Sequence, residues 1–323
     1  MKRKKRIWYW IIGLAVVLLW VAAILWFMRP PANAMPTPSN GTLERNQQFT
    51  SQYIQQRDIF VWFPEGYEIA EPCDVLYMHD GQSLFDAALT WNHQEWQVDE
   101  IMGRLMQEGK IRRCIVVGIK NTDDRLSEYF PTKTWQYVPE AERKNANLEK
   151  LTGDAYLKFI VEELKPYIDE CYQPLTSREH TFMMGSSMGG LISLYALCEY
   201  PEVFGGVACL SSHLSMAYLP NGNDGEAWAT GFRNYVEKNL PETNTSLIYM
   251  DRGTKELDAE YGKYQTLLDK VITAKSWDEK HYKSLVFDGH GHNETCWAKR
   301  LDQPLLFLLG SQSDNEKLSL TNE

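Results

Sequence analysis

The sequence predicts an α/β fold: a mainly parallel central sheet with helices on both faces. Three observations carry this. Short apolar or β-branched runs alternate with segments of helical period over roughly 260 residues. A glycine-bounded stretch, Thr181 to Ile192, reads as strand, sharp turn and helix. Five polar loops, at 79–83, 120–131, 185–190, 251–258 and 288–294, each follow a predicted strand, and ligands of such sheets bind at the carboxyl ends of strands.

Taken in order, Arg57 to Phe63 alternates (Ile59, Val61 and Phe63 on one face) and is stopped by Pro64-Glu65-Gly66, a strand ending in a turn. Asp74 to Met78 is a short apolar strand entering His79-Asp80-Gly81-Gln82. A helix is expected around Asp99 to Gln107, and Ile111 to Ile119 is continuous enough for a buried parallel strand. Residues 132–150 are polar and weakly patterned, an insertion or lid. Asp154 to Tyr167 has helical spacing (Tyr156, Phe159, Ile160, Leu164), with Thr152 or Asp154 as cap. After the stretch at 181–192 come a helix to Glu199 halted by Pro201, and a strand over Gly206 to Leu210. A helix near Trp228 to Glu237, a strand over Ser246 to Met250 and a helix over Tyr261 to Ala274 follow. A strand over Tyr282 to Phe287 and a last helix over Thr295 to Leu309 complete the domain.

The N-terminus differs in kind. Met1 to Arg6 is a basic tail, and residues 7–28 are an uncharged apolar run with tryptophans at 8, 10, 20 and 26. About 20 apolar residues span the ~30 Å hydrocarbon core, and interfacial indoles favour its edges. The expectation is one transmembrane signal-anchor, with residues 1–6 cytoplasmic and everything after Arg29 outside. Ala32-Asn33-Ala34 resembles a cleavage site, but the run exceeds the usual signal-peptide core. Cleavage would secrete the domain; either reading exports it, to the periplasm or cell surface. Residues 29–48, bearing Pro30, Pro31, Pro36 and Pro38, read as a linker, 49–310 as the domain, and 311–323 as a disordered tail.

The chain carries 33 Lys/Arg against 43 Asp/Glu, a net charge of −10, and six of the basic residues lie before residue 30. The globular part is therefore more acidic still, which argues against nucleic acid and anionic lipid as its partners. Cysteines 73, 114, 171, 198, 209 and 296 form no Cys-x-x-Cys pair and read mainly as buried free thiols. No redox role follows.

The chemistry is carried by Gly185-Ser186-Ser187-Met188-Gly189, a Gly-x-Ser-x-Gly pattern between strand and helix. An α/β-hydrolase nucleophile elbow needs this context, with Ser187 at the tip of a strained turn. A serine nucleophile needs a base and a carboxylate that orients it, in the chain order Ser, acid, His. His290-Gly291-His292 lies between the last strand and last helix. His292, nearest the helix start, is the expected base and His290 the fallback. Metal binding by this pair is disfavoured because no third ligand stands at suitable spacing. The acid must come from Asp251 to Asp258, where Asp251 abuts the strand and Glu256 and Asp258 are not separable by spacing. Two backbone N–H donors must hold the oxyanion. Met188, at the helix N-terminus, and Gln82, after the turn at Gly81, are the candidates. His79-Asp80 reads as a turn-stabilising pair. Trp91, Trp96, Trp135, Trp228 and Trp297 read as core packing before sugar or aryl stacking.

Tyr77-Met78-His79-Asp80-Gly81-Gln82-Ser83-Leu84-Phe85-Asp86, Arg125 to Pro131, Gly185 to Gly190 and Gly291 to Trp297 resemble the esterase-D-like "putative esterase" family of α/β-hydrolases, over about Arg57 to Gly310. That family includes siderophore, feruloyl and acetylxylan esterases and mycolyltransferases. The resemblance implies an α/β-hydrolase fold, Ser187 as nucleophile and His292 as base. Asp-x-Gly-Thr-x-x-Leu-Asp, common in related sequences, matches Asp251 to Asp258 and tips the acid to Asp258, with Glu256 as the alternative. Ser83 departs from the Asn usual there. The expected function is a serine esterase that acts, without cofactor or metal, on a small-molecule or carbohydrate ester. The alternatives are an acyltransferase with the same triad and a non-catalytic binding domain.

Overall fold

A computed structural model describes Trp20 and residues 34–69, 71–143, 151–216, 225–241 and 245–311. The chain divides into a unit ending at Met35 and one beginning at Pro36. The expected membrane span at 7–28 lies outside the described residues except for Trp20, as does the tail from residue 312. Among the described residues no helix is long and apolar enough to cross a membrane.

The second unit is built on one eight-stranded sheet: β1 (Thr42–Phe49), β2 (Arg57–Phe63), β3 (Asp74–His79), β4 (Cys114–Ile119), β5 (Thr181–Ser186), β6 (Gly206–Leu210), β7 (Leu247–Gly253) and β8 (Tyr282–Phe287). Their spatial order is β1-β2-β4-β3-β5-β6-β7-β8. The β1/β2 and β2/β4 pairs are antiparallel and the remaining five parallel. Strands β2 to β6 are buried along their whole length, as their apolar runs require. One core layer sits between the sheet and helices at 153–172, Met188–Glu199, Gly225–Asn239 and Gly262–Ala274; the other includes Val98–Gln107 and Asp302–Leu309.

Several boundaries differ from expectation. The linker expected over 29–48 contains β1, and the segment before it is tied down too, because Asp99 accepts hydrogen bonds from Ser39 N (2.7 Å) and Asn40 N (3.0 Å). The domain therefore begins before residue 49. The lid expected at 132–150 is partly core: a 3₁₀ segment Thr132–Tyr137 buries Thr134, and Val138 packs against Gly231. Helix 154–167 extends to Tyr172 but passes through a π segment, Phe159–Leu164, just before Pro166, which has no N–H for a regular ladder. β4 starts only at Cys114; Ile111 makes an isolated bridge to Gly310. β7 runs on to Gly253 because Asp251, Arg252 and Gly253 pair with Leu285, Val286 and Phe287. The last helix is broken into Glu294–Ala298 and Asp302–Leu309, with Pro304 in the first turn of the second piece.

The register brings the loops to one rim. Ser186 stands beside Leu210, Leu210 beside Asp251, and Asp251 beside Leu285. On the other side of β5, Met78 of β3 pairs with Met184, and His79 with Ile119 of β4.

Candidate active site

Ser187 occupies the turn between β5 and the helix Met188–Glu199 with φ 57° and ψ −121°. A serine with positive φ is strained, and such strain persists only where its surroundings hold it. Here the Ser187 N–H donates to Leu210 O (3.0 Å), and the Ser187 carbonyl accepts from His213 N (3.1 Å) and Gly190 N (3.1 Å). A Cβ on Gly185 would lie 2.8 Å from Gly189 C and 2.8 Å from His79 Cδ2, so the turn closes only over a glycine. Met188 opens the helix, where first-turn N–H groups have no intrahelical acceptor.

The turn after β3 faces this helix start. Asp80 has φ 57°, and Gly81 presses on β4, where a Cβ would sit 2.5 Å from Gly118 C. Arg125 forks onto Asp80 (Nε to Oδ1 2.7 Å, Nη2 to Oδ2 2.7 Å), and Asn121 Nδ2 adds a donor at 2.6 Å. Burial pushes the Asp80 carboxyl up, but the Arg125 charge and these bonds outweigh it and hold it below the usual range. Arg125 is held in turn by its own segment. Glu128, one helical turn on, takes both Nη atoms of buried Arg57 at 2.9 and 2.6 Å. His79 hydrogen-bonds Tyr156 Oη (2.8 Å), and burial lowers its pKa to about 3, so it is neutral. The pair His79-Asp80 thus shapes the turn that presents Gln82, whose Oε1 accepts from Asn121 N (3.2 Å).

Across the rim, His292 Nδ1 lies 2.6 Å from Asp258 Oδ1. Asp258 is fully buried, and its Oδ2 accepts from Ser211 Oγ (2.5 Å) and Gly253 N (2.6 Å). Burial raises this carboxyl's pKa, yet the bonds from His292, Ser211 and Gly253 win and keep it below the carboxylate norm. The other two acids of the loop go elsewhere. Glu256, at φ 54°, is exposed and accepts from the main-chain N of His292 (2.8 Å) and from Asn293 Nδ2 (3.2 Å). Asp251 is buried against Arg300 (3.0 Å), with burial raising it to about 6 despite that cation. His290, the fallback base, directs Nδ1 to Cys296 O (3.3 Å), while its carbonyl accepts from Thr254 and Lys255 N–H.

Sequence reasoning missed His213, Tyr261, Ser211 and Arg300. His213, whose N–H holds the Ser187 carbonyl, hydrogen-bonds Tyr261 Oη through Nδ1 (2.6 Å), and the Tyr261 ring stands edge-on to His292 at 5.7 Å. Burial, then the neighbouring His292 charge, lower His213 to about 4. These side chains link the elbow to the Asp258–His292 pair. Trp96, Trp228 and Trp297 are buried, Trp135 is half-buried against the core, and Trp91 is 89% exposed. No disulfide forms: Cys73, Cys114, Cys198 and Cys209 are buried free thiols, Cys296 is half-buried and Cys171 exposed. Among the described residues no group of three or more His, Cys, Asp or Glu side chains is arranged to hold a metal ion.

The rim thus carries a carboxylate–imidazole pair and a strained serine turn beside a helix start, where N–H groups favour negative charge. Residues 51–308 match the model of a family described as "Putative esterase". A Bacillus subtilis (strain 168) protein, YjcH, itself described as uncharacterized, is 25% identical over 83% of this chain and 96% of its own length. Among solved structures, a ferulic acid esterase from Anaeromyces mucronatus superposes with a TM-score of 0.58 at 17% identity, covering 86% of this chain and 93% of that one. The enterobactin esterase from Shigella flexneri gives a TM-score of 0.59 at 16% identity, over 84% of this chain and 60% of that one. At these identities the structural likeness speaks for the fold alone.

Proposed function

The chain belongs to the "Putative esterase" family and is a carboxylic ester hydrolase; from that premise we propose that it cleaves esters through Ser187, His292 and Asp258 by way of an acyl-enzyme. The observation that carries the assignment is the 2.6 Å Asp258–His292 bond on the rim that bears the strained Ser187 turn. His292 Nε2 takes the Ser187 hydroxyl proton as Oγ attacks the ester carbonyl. The oxyanion is held by the N–H groups of Gln82 and Met188. His292 returns the proton to the departing alcohol, and water then repeats the sequence in reverse to free the acid. Asp258, held ionised, fixes the Nδ1–H tautomer and stabilises the imidazolium.

The substrate in this reading is a carbohydrate acyl or feruloyl ester or a siderophore-type ester, in keeping with the names of two fold relatives, a ferulic acid esterase and an enterobactin esterase. The apolar run at 7–28 supports a membrane-anchored enzyme whose catalytic domain stands outside the cytoplasm, meeting its ester there. The test is a panel of acetyl, feruloyl, longer acyl and catecholate trilactone esters offered to the wild type and to Ser187→Ala. Turnover of at least one class by the wild type, lost by about 10³-fold or more in the variant, is the expected outcome. Near wild-type kcat in Ser187→Ala would sink the assignment, and product appearing on an added sugar or lipid hydroxyl instead of water would make the enzyme an acyltransferase.

A further inference from the structure

Behind the Asp258–His292 pair lies a buried polar chain that the triad does not require. Ser211, just past β6, is completely buried, as are Asp251, Asp258 and, at 1% exposure, Arg300. Ser211 Oγ has three polar neighbours but one proton. It receives Arg300 Nη2–H at 2.7 Å and Trp297 Nε1–H at 3.0 Å, and it lies 2.5 Å from Asp258 Oδ2. A guanidinium and an indole N–H can only donate, so both hydroxyl lone pairs are taken and the single Ser211 proton must point to Asp258. Arg300 is fixed by Asp251 at 3.0 Å, whose second oxygen accepts from Tyr249 Oη at 3.1 Å. The direct Arg300–Asp258 separation is 3.7 Å, so the hydroxyl is the closer link.

A second observation is independent of these distances. Ser211 has φ 43°, the left-handed region, where glycine would be free of strain. The backbone is held there by Ser211 N donating to Asp251 O at 2.8 Å. The conformational cost is thus carried at the position where the Ser211 hydroxyl meets Asp258.

We propose that Ser211 and Arg300 are positioning residues that lock the orientation of the Asp258 carboxylate, with Trp297 and Asp251 fixing the direction of the hydrogen-bond chain. This rests on the triad reading above. Asp258 Oδ2 is pinned by Ser211 and by Gly253 N, which leaves Oδ1 aimed at His292 Nδ1 through every turnover. Arg300, acting through the Ser211 hydroxyl that it donates to, holds the carboxylate turned towards His292. The titratable groups facing the pair are Arg300, with Asp251 beyond it, behind Asp258, and Tyr261, His213 and Glu256 around His292.

The test compares wild type with Ser211→Gly, which suits the φ, Ser211→Ala and Trp297→Phe, following kcat, KM, the acid limb of the kcat/KM–pH profile and the melting temperature. For both Ser211 variants the expected result is a fall in kcat of about ten- to a hundredfold at nearly constant KM. The acid limb should move to higher pH, because a carboxylate with fewer donors holds the imidazolium proton more tightly. Trp297→Phe, which removes the indole N–H from Ser211 and leaves a smaller ring beside His292, should move both quantities the same way by less. Folded Ser211 variants with wild-type kcat and an unmoved acid limb overturn the proposal while leaving the triad standing. If both Ser211 variants fail to fold, an unmoved limb in Trp297→Phe overturns it. A wild type inert to every ester and unlabelled by a fluorophosphonate overturns the triad reading and this proposal together.

Discussion

Asp258 and Glu256 lie two residues apart in one short loop, and what separates them is a backbone angle. Glu256 takes φ 54°, which turns its carboxylate outward onto the main-chain N–H of His292, whereas Asp258 faces inward onto the ring. Spacing cannot encode that turn, which is why the residues alone left two acids open, whereas Ser187 and His292 stand in the strand-end loops where the sequence placed them. Asp258→Asn should lower kcat by about 10³- to 10⁴-fold, the scale on which a triad loses its orienting acid. Glu256→Gln keeps an oxygen for the His292 N–H and should cost about fivefold or less. Measuring kcat for the two variants on one ester checks the assignment, and the reverse ranking would transfer the role to Glu256. Arg300 and Ser211 were illegible for a related reason: a buried arginine in a break between helices looks, in sequence, like any solvated helix arginine.

Among the elements, the buried strands were legible because composition alone identifies them, as at β6, and β8 lies at the expected Tyr282–Phe287 although most of it is exposed or half-buried. β1 was not, and the reason is physical. Its residues, Thr-Leu-Glu-Arg-Asn-Gln-Gln-Phe, are all exposed or half-buried at the sheet edge, so hydrophobic periodicity had nothing to register. What holds this end instead is polar: Asp99, at the start of the helix Val98–Gln107, grips Ser39 and Asn40, and Trp62 Nε1 donates to Asn40 O at 2.7 Å. This concentration of acid has a measurable consequence. Burial, with the charges of Glu100 and Asp99, raises Glu95 to about 7, while burial raises Asp99 to about 6. A carboxyl raised in the folded state favours folding below its unfolded pKa, and that advantage is lost as pH rises through the folded value. Glu95→Gln should therefore raise the melting temperature relative to wild type at pH 8, and the gain should shrink towards pH 5. A gain that grows as the pH falls would show that Glu95 is not held in this way.

For the whole molecule, the order β1-β2-β4-β3-β5-β6-β7-β8 sets loops far apart in sequence on a single rim. The turn after β3, the elbow after β5, the serine after β6, the acid after β7 and the histidine after β8 meet there because their strands are neighbours in register. That convergence was foreseeable from alternating strands and helices, since a parallel sheet puts all its carboxyl ends on one side. The long-range order of the strands, and the buried chain from Asp251 to His292, depend on packing that no local pattern encodes. The central claim is that the rim activates one serine. Reaction of the intact protein with a fluorophosphonate, followed by peptide mapping, reads this directly. The account predicts about one adduct per chain, on Ser187, abolished in Ser187→Ala and strongly slowed in Asp258→Asn. An unmodified Ser187, or an adduct that forms equally fast without Asp258, would contradict it.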